Sequence, residues 1–318
     1  MVALRTVAIV QARIYSSRYP GKILADVNGR PMVEQICRRL DKAKLLDDVI
    51  IATPDIELRA ILPHRLLYIG EPTDVLRRYV RAAETFRADR VVRVTGDCPL
   101  IDPEVVDRVI TAHTLAQEYT SNVNERSFPY GLDTEVLWTD VLHRMNRMAG
   151  ETQHREHVTL YLRENPHLFA TSEVVDAVDN TSYDWRVDWP ADLEKIRAAY
   201  KWMGDRVVGY RDLIEWWGRQ YGEPEYVGTP SATRSSPGSD GADHGAVPPQ
   251  TAVDGQDAWY ERQSTASDDI DNSAAARKLW LKSGMPESST SLPLKYRKGR
   301  GWHDGAHVHV RMSAPRDV

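Results

Sequence analysis

TVAIVQA, residues 6–12, runs without a break into RIYSSRYPGK, residues 13–22. Seven consecutive residues with only Thr6 and Gln11 polar are the mark of a strand buried on both faces, as in a parallel sheet covered on both sides. A loop with three basic residues and a Pro-Gly turn then follows directly on the strand. The same grammar recurs downstream. DVIIATP (48–54), RLLYIG (65–70) and RVVRVTGDCP (90–99) read as further buried strands. Between them lie amphipathic helices. One opens at Arg30-Pro31 with Met32, Ile36, Cys37 and Leu40 on its inner face, and one starts at Thr73 with Val75, Leu76, Tyr79, Val80 and Ala83 inside. Asp102-Pro103 opens a third, proline being well suited to the first helical turn. Strands alternating with helices predict an α/β fold with a doubly wound, mostly parallel sheet. EVLW (135–138), two helices around 139–164, a strand in TSEVVDAV (171–178) and two closing helices in PADLEKIRAAYKWM and YRDLIEWWGRQY complete the expected domain, residues 1–228.

Residues 229–318 have a different composition. Ile, Leu, Val and Phe supply only ten of these 90 residues, and Ser, Gly and Pro supply 27. So little apolar surface does not offset the entropy of ordering a chain, so a disordered tail is expected. It is acidic up to about Asp271 and carries a basic cluster, KYRKGR (295–300). Its final part, WHDGAHVHVRM, alternates enough for one short strand, and the tail is a candidate site for an unidentified protein partner.

Over the 318 residues the net charge is −5, which argues against a protein held to nucleic acid by phosphate contacts. No apolar stretch is long enough to cross a membrane. Cys37 and Cys98 are the only cysteines and give neither a disulfide framework nor a C-x-x-C metal site, so a reduced, cytoplasmic protein is expected.

Three segments can carry chemistry. In open α/β sheets, ligands bind beyond the carboxyl ends of the strands. Arg13, Arg18 and Lys22 on the loop after the first strand suit a triphosphate, although the same residues also fit a solvated basic loop. The loop is not a Walker motif. Asp97, after RVVRV, is placed to meet Mg²⁺ together with substrate phosphates or, equally, to form an Asx turn. Asp188, expected at the end of a short strand, is either a second such carboxylate or a helix cap, and Asp192 reads as a first-turn dipole partner. No Ser-His-Asp or Cys-His arrangement supports covalent catalysis.

Together these pieces resemble the cytidylyltransferases of the spore-coat-polysaccharide type, relatives of the enzymes that activate acylneuraminate and 3-deoxy-manno-octulosonate with CTP. The resemblance runs from Thr6 to Trp217. It rests on QAR-x-x-SSR-x-PGK (11–22), PTDVLRR (72–78), RVTGDCPLIDP (93–103), SNVNERSFPYGLDTEV (121–136), REHVTLYLREN (155–165) and VDWPADLE (187–194). It implies a nucleotide-diphospho-sugar transferase-like fold and a Mg²⁺-dependent nucleotidyl transfer from CTP to a sugar or sugar acid. Arg13, Ser17, Arg18 and Lys22 would hold the triphosphate, and Asp97 and Asp188 the Mg²⁺. Asp74 and Arg78 would lie on the nucleoside side, and Asp133, Glu135, Glu156 and His157 would face the acceptor. His157 also reads as a packed or capping histidine, and His154 as a surface residue. Trp216 and Trp217 read as core or as a homodimer contact.

Tyr15 and Trp189 depart from the family, which usually has smaller residues there, and both bear on the nucleotide pocket. Three rival readings stand beside this one: the same transfer with another nucleotide, such as UTP or GTP, and two other functions on a similar fold. A glycosyltransferase would typically carry an Asp-x-Asp metal motif, but the chain has this only at Asp269-Ile270-Asp271, in the tail. A non-catalytic assembly protein would use the tail for interaction.

A chain truncated after Gly228 should keep its melting temperature and its affinity for CTP, both measurable by thermal shift. A fall in either would show that the tail contributes to the domain.

Overall fold

A computed structural model describes residues 4–16 and 18–222 in full, and the backbone of 295–298 and 301–304. Ser17 and most of 229–318 lie outside the described residues, as do the expectations attached to them.

The strands are β1 (Thr6–Gln11), β2 (Asp26–Val27), β3 (Arg30–Pro31), β4 (Asp48–Thr53), β5 (Leu66–Ile69), β6 (Arg90–Thr95), β7 (Tyr119–Ser121), β8 (Glu135–Trp138) and β9 (Thr171–Glu173). The helices are α1 (Met32–Leu40), α2 (Leu58–Ile61), α3 (Val75–Thr85), α4 (Pro103–Ala112), α5 (Thr139–Met148), α6 (Thr152–Glu156), α7 (Leu160–Glu164), α8 (Pro190–Met203) and α9 (Tyr210–Tyr221). Seven strands form one sheet in the order β5-β4-β1-β6-β8-β7-β9. Neighbours among β5, β4, β1 and β6 are parallel, β8 is antiparallel to both β6 and β7, and β7 pairs with β9 in parallel. The expected mostly parallel sheet is therefore present.

Both faces of β1 are buried, which explains its unbroken apolar run. Ala8 and Val10 join a core with α1, α4, α8 and α9, whereas Val7 and Ile9 join one with α3 and α5. The expected inner residues of α1 and α3 are buried. Local chemistry sets several helix starts. Asp74 caps α3 through the Arg77 amide at 2.9 Å. Asp102 caps α4 through the amides of Glu104 and Val105, while its second oxygen accepts from the Tyr210 amide at the start of α9. Trp216 and Trp217 are buried and pack against Trp202 and Trp185, with ring centroids 5.3 and 5.7 Å apart, as the core reading required.

Four local expectations are corrected. Residues 139–164 form three helices, not two, because Gly150 and the turn at 157–159 divide them. The strand expected over 171–178 stops at Glu173, where β7, its pairing partner, also ends. The segment before Asp188 forms no strand; it makes an isolated bridge between Tyr130 and Asp184 and single backbone bonds from the Trp185 and Val187 amides. Near the C-terminus, β10 (Lys295–Lys298) and β11 (Gly301–Asp304) form an antiparallel pair, so the strand expected in 302–312 begins a residue earlier and pairs within the chain.

The sheet delivers β1 and β6 to the same edge, and Gly96 keeps them close. Its amide donates to the Gln11 carbonyl at 2.8 Å, and a Cβ at Gly96 would lie 2.7 Å from that same oxygen. Gly96→Ala should therefore destabilise the fold by about 1–3 kcal/mol, the usual cost of forcing a methyl into a packed site. Urea denaturation measures it, and an unchanged midpoint would show that the two strand ends can part freely.

Candidate active site

The loop after β1 is tied down by its own backbone and by one buried carboxylate. The Ile14 amide donates to Asp55 at 2.6 Å, and the Gly21 amide donates to the Ile14 carbonyl at 2.7 Å. Gly21 turns the chain with φ +79°, a conformation glycine adopts without penalty. Burial pushes the Asp55 carboxyl above its usual range, against the pull of the Ile14 amide. Asp55 was not singled out from sequence; its place just after a strand, in Thr53-Pro54-Asp55, was the available signal.

The closed loop leads into a single 3-10 turn that buries Lys22. The Lys22 ammonium donates to the Val187 carbonyl at 2.7 Å and to Asp188 Oδ1 at 3.1 Å, and lies 3.6 Å from Asp97 Oδ2. Arg18 reaches the same Asp188 oxygen at 2.8 Å. Burial alone would raise the Asp188 carboxyl, but Lys22 and Arg18 outweigh it and hold the group below its usual range. Asp97 accepts from the Thr95 hydroxyl at 2.5 Å, and its carbonyl receives the Val187 amide at 2.9 Å. That bond brings together two segments about 90 residues apart. Asp192 accepts the amides of Asp188 and Trp189, which matches its expected first-turn role and leaves the Asp188 side chain to the site.

A cavity of about 280 Å³ opens above these groups, with Arg13, Arg18, Lys22, Arg78, Asp97, Glu156 and His157 among its lining residues. Arg13 is exposed and makes no ion pair among the described residues. Arg78 is buried, donates to the Glu71 carbonyl, and keeps a buried Nε without a partner; burial lowers its pKa. Glu156 and His157 are exposed on the wall. Next to them, Val158 holds φ +52°, an unfavourable conformation for a β-branched residue and a marker of local strain beside a site. Tyr15 and Trp189 are exposed aromatic residues on the segments that carry Arg18 and Asp188.

Three of the expected site residues have their carboxylates engaged elsewhere. Besides capping α3, Asp74 receives a two-pronged contact from Arg155 at 3.0 and 2.6 Å. Asp133 is gripped by both arms of Arg126, at 2.6 and 3.0 Å, and the guanidinium groups of Arg126 and Arg186 each stack on Tyr130. Glu135 is buried and accepts from Arg93, from the Tyr119 hydroxyl at 2.7 Å and from the Thr159 hydroxyl at 2.7 Å. His154, expected at the surface, is buried with Nε2 2.7 Å from Glu164, because α6 folds back onto α7.

Asp97 and Asp188 offer hard oxygen donors around a position already occupied by a cation, the Lys22 ammonium. No cluster of three His, Cys, Asp or Glu gathers among the described residues. Two carboxylates with phosphate oxygens completing the shell are the donor set Mg²⁺ prefers, so these residues fit that ion.

Residues 7–207 match the family described as cytidylyltransferase. The chain is 32% identical over 212 residues to the spore coat polysaccharide biosynthesis protein SpsF of Bacillus subtilis, covering 62% of this chain and 87% of that one. It is 38% identical over 108 residues to a 3-deoxy-manno-octulosonate cytidylyltransferase of Pelobacter propionicus, covering 32% of this chain and 42% of that one. Among solved structures, a cytidylyltransferase from Leptospira borgpetersenii aligns with a TM-score of 0.67 at 26% identity, over 70% of this chain and 98% of that one.

The Glu135 cluster generates a stability prediction. Burial pushes its carboxyl up, but Arg93, Thr159 and Tyr119 outweigh burial and hold it below the ordinary 4.5. A depressed carboxyl stabilises the fold fully above its unfolded value and loses that contribution as pH falls through the folded value. Glu135→Gln, which strands Arg93 in the interior, should cost about 3–5 kcal/mol at neutral pH and flatten the acid limb of stability below pH ~4. Urea denaturation across pH measures both effects; a variant as pH-sensitive as the parent would refute the assignment.

Proposed function

The chain belongs to the cytidylyltransferase family, and from that premise we propose that it transfers the cytidylyl group of CTP to a hydroxyl of a sugar or sugar acid. Pyrophosphate leaves and a CMP-sugar remains. The observation that carries this reading is the meeting of Lys22, Arg18, Asp97 and Asp188 beside a cavity lined by Arg13, Arg18, Lys22 and Arg78. The role of the Bacillus subtilis relative in spore coat polysaccharide biosynthesis supports a product used for polysaccharide or surface glycan synthesis.

In the reaction, the acceptor oxygen attacks the α-phosphorus in line. The bond from phosphorus to the α–β bridging oxygen breaks, pyrophosphate takes the electron pair, and the acceptor proton is released. Such chemistry needs positioning and charge neutralisation more than a covalent intermediate. Arg13, Arg18 and Lys22, with Ser17 on the same loop, hold the polyphosphate and offset the charge that builds on the leaving group. Arg78 presents its guanidinium to the nucleoside side. Glu156 and His157 offer exposed polar groups to the acceptor, whereas Asp133 and Glu135 act through Arg126 and Arg93, and Asp74 shapes the start of α3. Asp97 and Asp188 would hold Mg²⁺, which would supply Lewis-acid polarisation of the α-phosphate.

Pyrophosphate release with CTP and a panel of sugar and sugar-acid acceptors tests the proposal. Asp97→Asn and Asp188→Asn should each cut turnover at least about a hundredfold, or about 2.7 kcal/mol. The double variant should lose far less than the product of the single losses, because residues serving one ion act as a unit. Lys22→Ala should weaken CTP more than CMP. Fully multiplicative losses would refute the shared ion, and equal losses for CTP and CMP would move Lys22 away from the pyrophosphate.

A further inference from the structure

Arg13 is an exposed cation on the loop after β1, yet the residues on either side of it are fixed. The Ala12 amide donates to the Ala52 carbonyl at 3.2 Å, and the Ile14 amide donates to Asp55 Oδ2 at 2.6 Å. Both acceptors belong to the end of β4 and the turn that follows it. Ala12 and Ile14 are buried, so the backbone around Arg13 is pinned twice while its side chain lines the cavity.

The Asp55 carboxylate is itself held in place. The Thr53 hydroxyl donates to the same Oδ2 at 3.2 Å, and the Asp55 amide donates back to that hydroxyl at 3.0 Å. Asp55 is 6% exposed, and what it binds is an amide and a hydroxyl rather than a cation. Burying a carboxylate costs stability, and two neutral donors return only part of it, so the position is a poor stability device. The same turn also meets a second arginine of the cavity. The Thr53 carbonyl accepts the Gly70 amide at 3.0 Å, and a Cβ at Gly70 would lie 3.0 Å from Cγ of Arg78. The Asp55 charge favours the Arg78 guanidinium, and the Arg13 charge opposes it.

We infer that Asp55 is a positioning residue for polyphosphate binding: it fixes Ile14, and through it Arg13, before any ligand arrives. The inference rests on the triphosphate reading of the cavity given above. The sign of the effect separates positioning from charge. A carboxylate near two arginines weakens the potential that draws an anion, so on charge alone its removal would tighten binding. Positioning gives the opposite sign. Without the Ile14 bond, the ligand bears the cost of ordering the loop.

Calorimetric titration of the full-length chain with inorganic tripolyphosphate and with CTP, both in constant excess Mg²⁺, reads that sign. Asp55→Ala should weaken both ligands at least about tenfold, equivalent to about 1.4 kcal/mol. Asp55→Asn, which keeps an oxygen for the Ile14 amide and removes the charge, should stay within about threefold of the unaltered protein. In the Asp55→Ala background, Arg13→Ala should cost much less than it does alone, because the two residues act in series. Asp47 accepts the Thr6 amide at 2.8 Å, the same kind of bond at the other end of β1, and Asp47→Ala should change neither affinity. A folded Asp55→Ala that binds as tightly as the unaltered protein, or more tightly, overturns the inference. So does Asp55→Asn weakened as much as Asp55→Ala. Hydrogen exchange on the unaltered protein needs no variant to fold. The Ile14 amide should exchange slowly without ligand, and protection that appears only with CTP overturns the inference. If neither tripolyphosphate nor CTP binds the unaltered protein, the triphosphate reading falls and takes the inference with it; if both bind and Asp55→Ala is indifferent, only the inference falls.

Discussion

Strands β1 and β6 lie side by side in parallel and end at the same height, and the site depends on that one pairing. From its two ends hang the basic loop and the Thr95-Gly96-Asp97 turn, held together by a backbone hydrogen bond between Gly96 and Gln11. Parallel neighbours have all their carboxyl ends on one side, so a loop of cations and a turn of carboxylate cannot avoid facing each other. The third contributor, the segment before α8, needs no strand of its own. The bond from the Val187 amide to the Asp97 carbonyl, with those from Lys22 and Arg18 to Val187 and Asp188, docks it beside the other two.

Arginine–carboxylate pairing dominates the polar interior. Arg93 with Glu135, Arg126 with Asp133, Arg155 with Asp74 and Arg65 with Glu34 are each shielded from water to a substantial degree. A guanidinium presents a rigid fork that a carboxylate meets with two oxygens, which makes such pairs directional as well as strong. They tie strands, helices and loops to one another. Arg155 in α6, for example, joins Asp74 at the head of α3 to the carbonyls of Asn146 and Ala149 at the C-terminal end of α5.

The central fold was legible in the sequence because burial leaves a record there. TVAIVQ, DVIIAT and RVVRVT are apolar because both sheet faces are covered, and the stripes of α1 and α3 repeat at helical spacing. A short strand between β8 and β9 was harder to find. Tyr119–Ser121 has three residues, fewer than any periodicity needs. Arg18, Lys22, Asp97 and Asp188 were legible by kind and position, and the structure brings them within bonding distance. Asp74, Asp133 and Glu135 sit in suggestive motifs, but their partners, as for Asp74 and Arg155, can be about 80 residues away, and no local pattern announces such a match. Val158, strained beside the cavity, is likewise invisible in sequence, since valine there looks like any core residue.

The position of β1 has a consequence for how the molecule comes into being. The first of the sheet's strands in chain order is one that must end up in the middle of the sheet. Its partners β4 and β6 emerge about 40 and about 80 residues later, since Val7 faces Asp48 and Thr6 faces Arg90. Pairings between such distant stretches close slowly, and an unpaired apolar strand is an invitation to self-association in the meantime. Until Arg90–Thr95 has been made, one side of TVAIVQ lacks the neighbour it has in the finished sheet, and that hexapeptide carries the hazard for as long as the chain is incomplete.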